Sequence, residues 1–408
     1  MRICLLSYRG NPYSGGQGIY IFYLSRALQD LGHEVHVLAG PPYPDIVEGV
    51  HLHKLESLNL YESELSSWED ILRIRSPLKL YEYLAVCLGT FPEPFTFSIR
   101  AYNRLRGLMP NYKFDVVHDN QCLAYGLLLM KRLKIPVVAT IHHPIPIDRE
   151  IEFSLAKNLW DKFRLMRFFS FLGMQYQVSP RLDRVITVSN SSAKDINRIF
   201  KVPDSALRVI HNGIDTDLFN CDGNAPKEPN SLIMVSSGGG HTKGVPYLLK
   251  ALELLRREVN VKLTIVGNNH PENEQVKLVK ENGLDDIVTF TGGIEREELA
   301  RRYARAEIAV APSLYEGFGL PTAEAMACQL PVVAARAGAL PEVMGKDGET
   351  GILVPPADSD KLAAAIKRLL DDEPLRKRMG EAGRKRVEEN FNWKHAAKKT
   401  VEVYEELL

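Results

Sequence analysis

The stretch SLYEGFGLPTAEAM, residues 313–326, holds two glutamates, Glu316 and Glu324, with seven residues between them. Paired carboxylates can do acid/base chemistry, hold a metal, recognise hydroxyls, or simply carry surface charge. Gly317-Phe318-Gly319 reads as a tight turn, and Leu320-Pro321-Thr322 as the start of a helix with Pro321 in its first turn. Glu324 then lies about one helical turn in. The open N–H groups of residues 318–322 would face a cleft and suit a diphosphate. Carboxylates in contact with phosphates would repel them, so their better partners are hydroxyls. A ligand that carries both phosphates and hydroxyls is a sugar nucleotide.

Two other glycine loops offer complementary chemistry. YSGGQG (13–18) follows an apolar run and opens a helical one; there Gly15 and Gly16 would let backbone N–H groups approach an anion. Its spacing is neither G-x-G-x-x-G nor a P-loop, and a plain strand-to-helix turn is the alternative. SSGGGHTKG (236–244) places Lys243 at the start of the next helix, where it could neutralise a phosphate. A flexible loop with a solvated lysine is the alternative; the order strand, glycines, lysine, helix favours function. No D-x-D signature is evident, since DGNAP, LDDIV and LDDEP are poor candidates, so no divalent metal or other cofactor is expected. Five widely spaced cysteines without a C-x-x-C pair suggest reduced thiols and no structural zinc.

Strands and helices must place these loops. Short β-branched runs at 2–7, 33–39, 115–119, 136–143, 184–189 and 207–213 alternate with helical patterns, such as 18–32 with Ile21, Leu24, Leu28 and Leu31 on one face. Runs at 231–237, 261–267, 287–292, 307–313, 331–336 and 350–355 repeat the theme. The reading is an α/β chain of two Rossmann-like, doubly wound parallel sheets facing across a cleft. The predicted domains are 1–215, with a helical insertion at about 55–113, and 216–390, joined by a linker at 212–231. A final helix, 391–408, is expected to pack back on the first domain. The 51 Lys+Arg balance 51 Asp+Glu, which argues against nucleic acid as a partner. No apolar run approaches the roughly 18 residues of a membrane span, and none near the N-terminus suits a signal peptide. The expected location is cytoplasmic.

EGFGLPTAEAMACQLPVVAARAGALPEV (316–343) closely resembles the E-x7-E region of retaining glycosyltransferases of family 4, which have the GT-B fold. SGGQGIYIFYLSRALQDLGHEVHVLA, VVATIHH, VITVSNSSAKDI, VIHNGIDTDLF and TGILVPPADSDKLAAAI look like other segments of that family, covering about three-quarters of the chain. The resemblance implies a ribose-binding role for Glu324 and a donor-sugar role for Glu316. It puts the diphosphate or sugar on backbone groups around Gly317, Phe318, Gly319 and Leu320, with Gly15 and Gly16 approaching from the other domain. It sets His142, rather than His143, beside the transferring sugar and Lys243 beside the leaving group. The family's usual arginine in G-R-x-x-x-x-K-G falls near Gly238, where SSGGGHT has none.

The activity implied is metal-independent, front-face transfer of a hexose from a UDP- or GDP-linked donor to a hydroxyl acceptor, which would be a glycan, a lipid-linked molecule or a small molecule. A sugar-nucleotide epimerase, a phosphorylase or a non-catalytic binder are the alternatives on this architecture. FRLMRFFSFLGMQYQV (163–178) is a candidate for peripheral contact with the inner face of a membrane, although packing of its aromatics on the sheet is the stronger reading.

Overall fold

Near-continuous apolar strands need cover on both faces, and parallel pairing with crossover helices supplies it. A computed structural model describes residues 1–11, 16–60, 74, 76–221, 226–236 and 241–408. The first sheet contains β1 (Arg2–Ser7), β2 (Glu34–Ala39), β3 (His51–Lys54), β4 (Val116–Asn120), β5 (Val137–Ile141), β6 (Arg184–Thr187) and β7 (Leu207–Val209). The second contains β8 (Ser231–Ser236), β9 (Lys262–Gly267), β10 (Val288–Phe290), β11 (Ile308–Ala311), β12 (Val332–Ala335) and β13 (Gly351–Val354). Their orders are β3-β2-β1-β4-β5-β6-β7 and β10-β9-β8-β11-β12-β13. Every pairing between these strands is parallel. Both are doubly wound Rossmann-like sheets, as the alternation of runs predicts. Each reverses its winding beside its first strand, so the crevices open beyond the carboxyl ends of β1 and β4, and of β8 and β11.

Two segments differ from the sequence reading. β3 was not anticipated, and its presence changes what residues 55–113 are. They join an edge strand to the central β4, so the segment is the crossover of the sheet rather than an insertion. Its helix Glu93–Leu108 buries Phe97, Ala101, Leu105 and Leu108 in the first core. The stretch 212–221 is tied down rather than loose: Ile214, Phe219 and Cys221 are buried in a core cluster of the second domain. Ile214 N–H donates to the Phe391 carbonyl at 3.0 Å. That packing brings Cys221 against Cys328, 107 positions on, and the structure joins them in a disulfide, where five reduced thiols were expected. Cys4, Cys87 and Cys122 are free.

The last helix, Trp393–Glu405, crosses to the first domain. Trp393, Ala396, Ala397, Val403 and Tyr404 enter the core formed by β1, β2 and the helix Gly16–Asp30. Trp393 stacks on Tyr23 with ring centroids 5.4 Å apart. Glu406, just beyond the helix, pairs with Arg184 at 2.9 Å and Arg208 at 2.6 Å, on β6 and β7.

Candidate active site

Glu316 lies in the loop after β11. Its Oε1 accepts from Ser313 Oγ at 2.8 Å and from Lys243 Nζ at 2.7 Å. The Lys243 and Glu316 side chains are 23% and 15% exposed, so little water screens them. A close backbone approach allows the pair to form. A Cβ on Gly244 would stand 2.0 Å from the Pro312 carbonyl oxygen, and Gly244 also has φ 69°. Only glycine lets the loop after β8 lie against the loop after β11 in this way.

Gly319, at φ 91°, leads into the helix Leu320–Ala327 with a proline in its first turn. The Gly317 carbonyl accepts from Ser189 Oγ at 2.7 Å and Ser192 Oγ at 3.2 Å, both in the first domain. A Cβ on Gly317 would lie 2.0 Å from the His142 carbonyl oxygen and 2.8 Å from the His143 Cβ. Gly16, the first residue of its helix, faces Leu320, whose Cδ1 would be 3.5 Å from a Cβ there. Gly15 and Gly238 lie outside the described residues. Phe318 is buried, with its ring packed on Phe391 at 5.3 Å, so its side chain belongs to the core and only its backbone is left for a ligand.

Glu324 sits deeper, 3% exposed. Arg296 Nη2 donates to its Oε1 at 3.0 Å. The same guanidinium lies over the rings of Phe219 at 5.0 Å and Tyr23 at 5.5 Å. Tyr23 belongs to the first domain, so the carboxylate's partner also touches the opposite side. Sequence reasoning missed Arg296, because REELARRYARA shows only helical spacing and stands 28 positions from its partner.

The end of β5 supplies two histidines in different states. His142 Nε2 is 2.7 Å from Asn120 Oδ1, and Asn120 Nδ2 donates to the Gln17 carbonyl at 3.1 Å. That amide orientation assigns the His142 proton to Nε2 and leaves Nδ1 as an acceptor. Burial pushes the His142 imidazole down to about 3, so it is neutral at ordinary pH. His143 Nε2 is 2.7 Å from Asp148 Oδ2. Burial lowers its basicity, but the nearby Asp148 and Glu316 carboxylates outweigh that and hold it above its ordinary value. His241 couples the domains: its N–H and Nδ1 meet Glu152 at 3.1 and 3.2 Å.

Gly16 and Leu320, Gly317 with the two histidines, and Lys243 with Glu316 therefore meet at one junction between the crevices, with Glu324 below it. Among the described residues, one cluster has metal-ligand spacing: Glu34, His36 and His51. It lies at the start of β2 and β3, the opposite end of the sheet from the crevice, and the His36 Nε2 is already 3.0 Å from Glu34 Oε1.

Comparison with known proteins decides the family. The model for Glycosyltransferase Family 4 matches residues 14–218, and that for Glycosyl transferases group 1 matches residues 219–386. An MMP alpha-(1->4)-mannosyltransferase of Mycolicibacterium hassiacum is 45% identical over 413 residues, covering 100% of this chain and 98% of its own length. The chain belongs to the family 4 glycosyltransferases. The transferase is also 27% identical to a glycogen synthase of Mycobacterium tuberculosis, over 99% of this chain and 94% of the relative. Sucrose-phosphate synthase from Thermosynechococcus elongatus superposes with a TM-score of 0.73 at 25% identity, covering 100% of this chain and 99% of that one. Anabaena HepE, solved in complex with UDP-glucose, superposes at 0.71 with 19% identity and full coverage of both chains. The fold is GT-B, and the transferase is a hexosyltransferase that uses a nucleotide sugar. No helix among the described residues is long and apolar enough to cross a membrane.

Proposed function

We propose that this transferase moves a hexose, mannose, from an α-configured nucleotide-diphosphate sugar to a sugar hydroxyl, with retention at the anomeric carbon. Mannose and an α link are what the relative 45% identical to this chain is named for. The observation that carries the reading is the Lys243–Glu316 pair, held at the edge of the Gly317 turn. A cation beside open helix N–H groups suits a departing diphosphate. Lys243 and Ser313 both hold Oε1 of Glu316, which orients the carboxylate as a ligand rather than as a nucleophile. It suits a hydroxyl of the donor sugar instead, and Glu324 suits the ribose.

The step is then a front-face displacement. The bond from the anomeric carbon to the diphosphate breaks as the acceptor oxygen bonds on the same face. The acceptor's proton leaves with the diphosphate. Lys243 and the turn amides stabilise the charge that grows on the leaving group. His142 is neutral and offers a hydrogen-bond acceptor beside the turn, not a proton.

The test is a donor screen with UDP- and GDP-hexoses, with and without chelator. Lys243→Ala should lower kcat by about 100-fold while donor KM changes far less, because the charge it meets appears in the transition state. Activity should survive chelation. Full kcat in Lys243→Ala would remove the leaving-group role.

A further inference from the structure

The helix Leu159–Phe168 buries none of its side chains. Leu159 and Trp160 are 85% and 62% exposed, and Phe163 and Met166 are also exposed. Their spacing puts all four on one face. The Trp160 and Phe163 rings stack, with centroids 5.7 Å apart. Phe163 and Met166 belong to the segment 163–178 that was read as a candidate membrane contact, whereas Phe169, Leu172, Met174 and Val178 of that segment are buried. Beside the helix runs a groove of about 710 Å³. Trp160 and Phe168 line it on one side and Cys87 and Gly89 on the other.

Its inner end is made by Glu152 and His241. These two are bonded to each other, and His241 starts the short turn that ends at Lys243. The groove therefore borders the site described above at His241, two residues before Lys243. Its charges are balanced: Glu152, Asp161 and Glu274 against Lys157, Arg164 and Arg167. An anionic lipid surface asks for a basic surplus, which this lining lacks. Flat aromatic faces among charged groups of both signs suit a ligand with apolar C–H faces and a rim of neutral hydroxyls. A volume of this order takes a ligand of a few hexose units.

We propose that this groove is the acceptor site and takes a neutral oligosaccharide, laid over Trp160 with its terminal hydroxyl at the His241 end. The proposal rests on the transfer reading above. The terminal hydroxyl oxygen gains the bond to the anomeric carbon, the diphosphate leaves with the bonding pair, and the hydroxyl proton goes with it.

The experiment uses the full chain, the best donor from the screen, and α-(1→4)-linked mannose and glucose oligosaccharides of one to six units. Acceptor KM should fall with length, and Trp160→Ala should raise it by about tenfold for the tetrasaccharides and flatten the length dependence. Trp160→Tyr should restore it, and donor KM should hold within about twofold in both variants. Calorimetric titration of the tetrasaccharides without donor should show the same loss in Trp160→Ala. Such a loss with no turnover of any donor would sink the transfer reading and keep the groove. Unchanged acceptor KM and binding in Trp160→Ala would overturn the proposal, as would failure of both tetrasaccharides to bind. Loss of binding to anionic vesicles with acceptor KM intact would overturn it too, making the face a membrane contact.

Discussion

Glu324 and Arg296 form the most enclosed ion pair of the site, with side chains 4% and 20% exposed. Breaking such a pair strands a charge away from water, which costs about 3–5 kcal/mol, whereas removing both charges costs much less. Glu324→Gln and Arg296→Met should each lower stability on that scale in denaturant titrations, and the double variant should recover much of the loss. Donor affinity should not recover if Glu324 holds the ribose as proposed, because that carboxylate is still missing. Normal donor binding in the double variant would refute the role given to Glu324. The spacing of Glu316 and Glu324 around a glycine turn was legible, since turn chemistry and helix starts are local. Ser313 and Arg296 were not. Ser313 is only three positions from Glu316, but its residue type does not show that its hydroxyl turns to that carboxylate, and only the second sheet's winding brings Arg296 to Glu324.

The same division between local and distant information holds for the elements. Strands that run apolar from end to end stood out, whereas β3 reads HLHK and sits at a sheet edge, where no apolar pattern is demanded. The terminal helix was legible as a helix by its period, but its seat depends on polar contacts across the molecule. Tyr404 Oη meets His118 Nδ1 at 2.5 Å, and His118 Nε2 meets Thr140 Oγ1 at 2.7 Å. Burial pushes the His118 imidazole down to about 3, against an ordinary 6.5. As pH falls, the unfolded chain takes up this proton first. The contribution is therefore whole above pH 6.5 and is lost as pH falls from there towards 3. In that window His118→Gln should narrow its stability gap to wild type by about 1.4 kcal/mol per pH unit, read from denaturation midpoints at pH 7, 6 and 5. A pH-independent gap would mean that His118 titrates in the folded protein as it does in the unfolded chain, with no depression by burial.

At the scale of the whole molecule, the proposed transfer needs the two crevices to meet, and polar contacts help to make the meeting. Ser189 and Ser192 hold the Gly317 carbonyl, and Glu342 accepts from the Asn190 backbone at 2.9 Å and pairs with His211 at 2.7 Å. Gly317 is where backbone of one domain touches backbone of the other, and a methyl there would stand 2.0 Å from the His142 carbonyl oxygen. Neither backbone can yield cheaply, because β5 is buried along its length and the turn leads into a buried helix. The relief left is for the domains to separate. Gly317→Ala should then keep both domain cores but lower kcat by about 10- to 100-fold, since a misplacement of about 1 Å can cost that much. Gly107→Ala is the matched control, as nothing lies within 4 Å of a Cβ there. Saturating donor at about 100 times its Kd should stabilise wild type by about 2.7 kcal/mol. The gain should shrink in Gly317→Ala if the donor needs both sides of the cleft. An undiminished gain together with full kcat would show that the contact at Gly317 is not what brings the two crevices together.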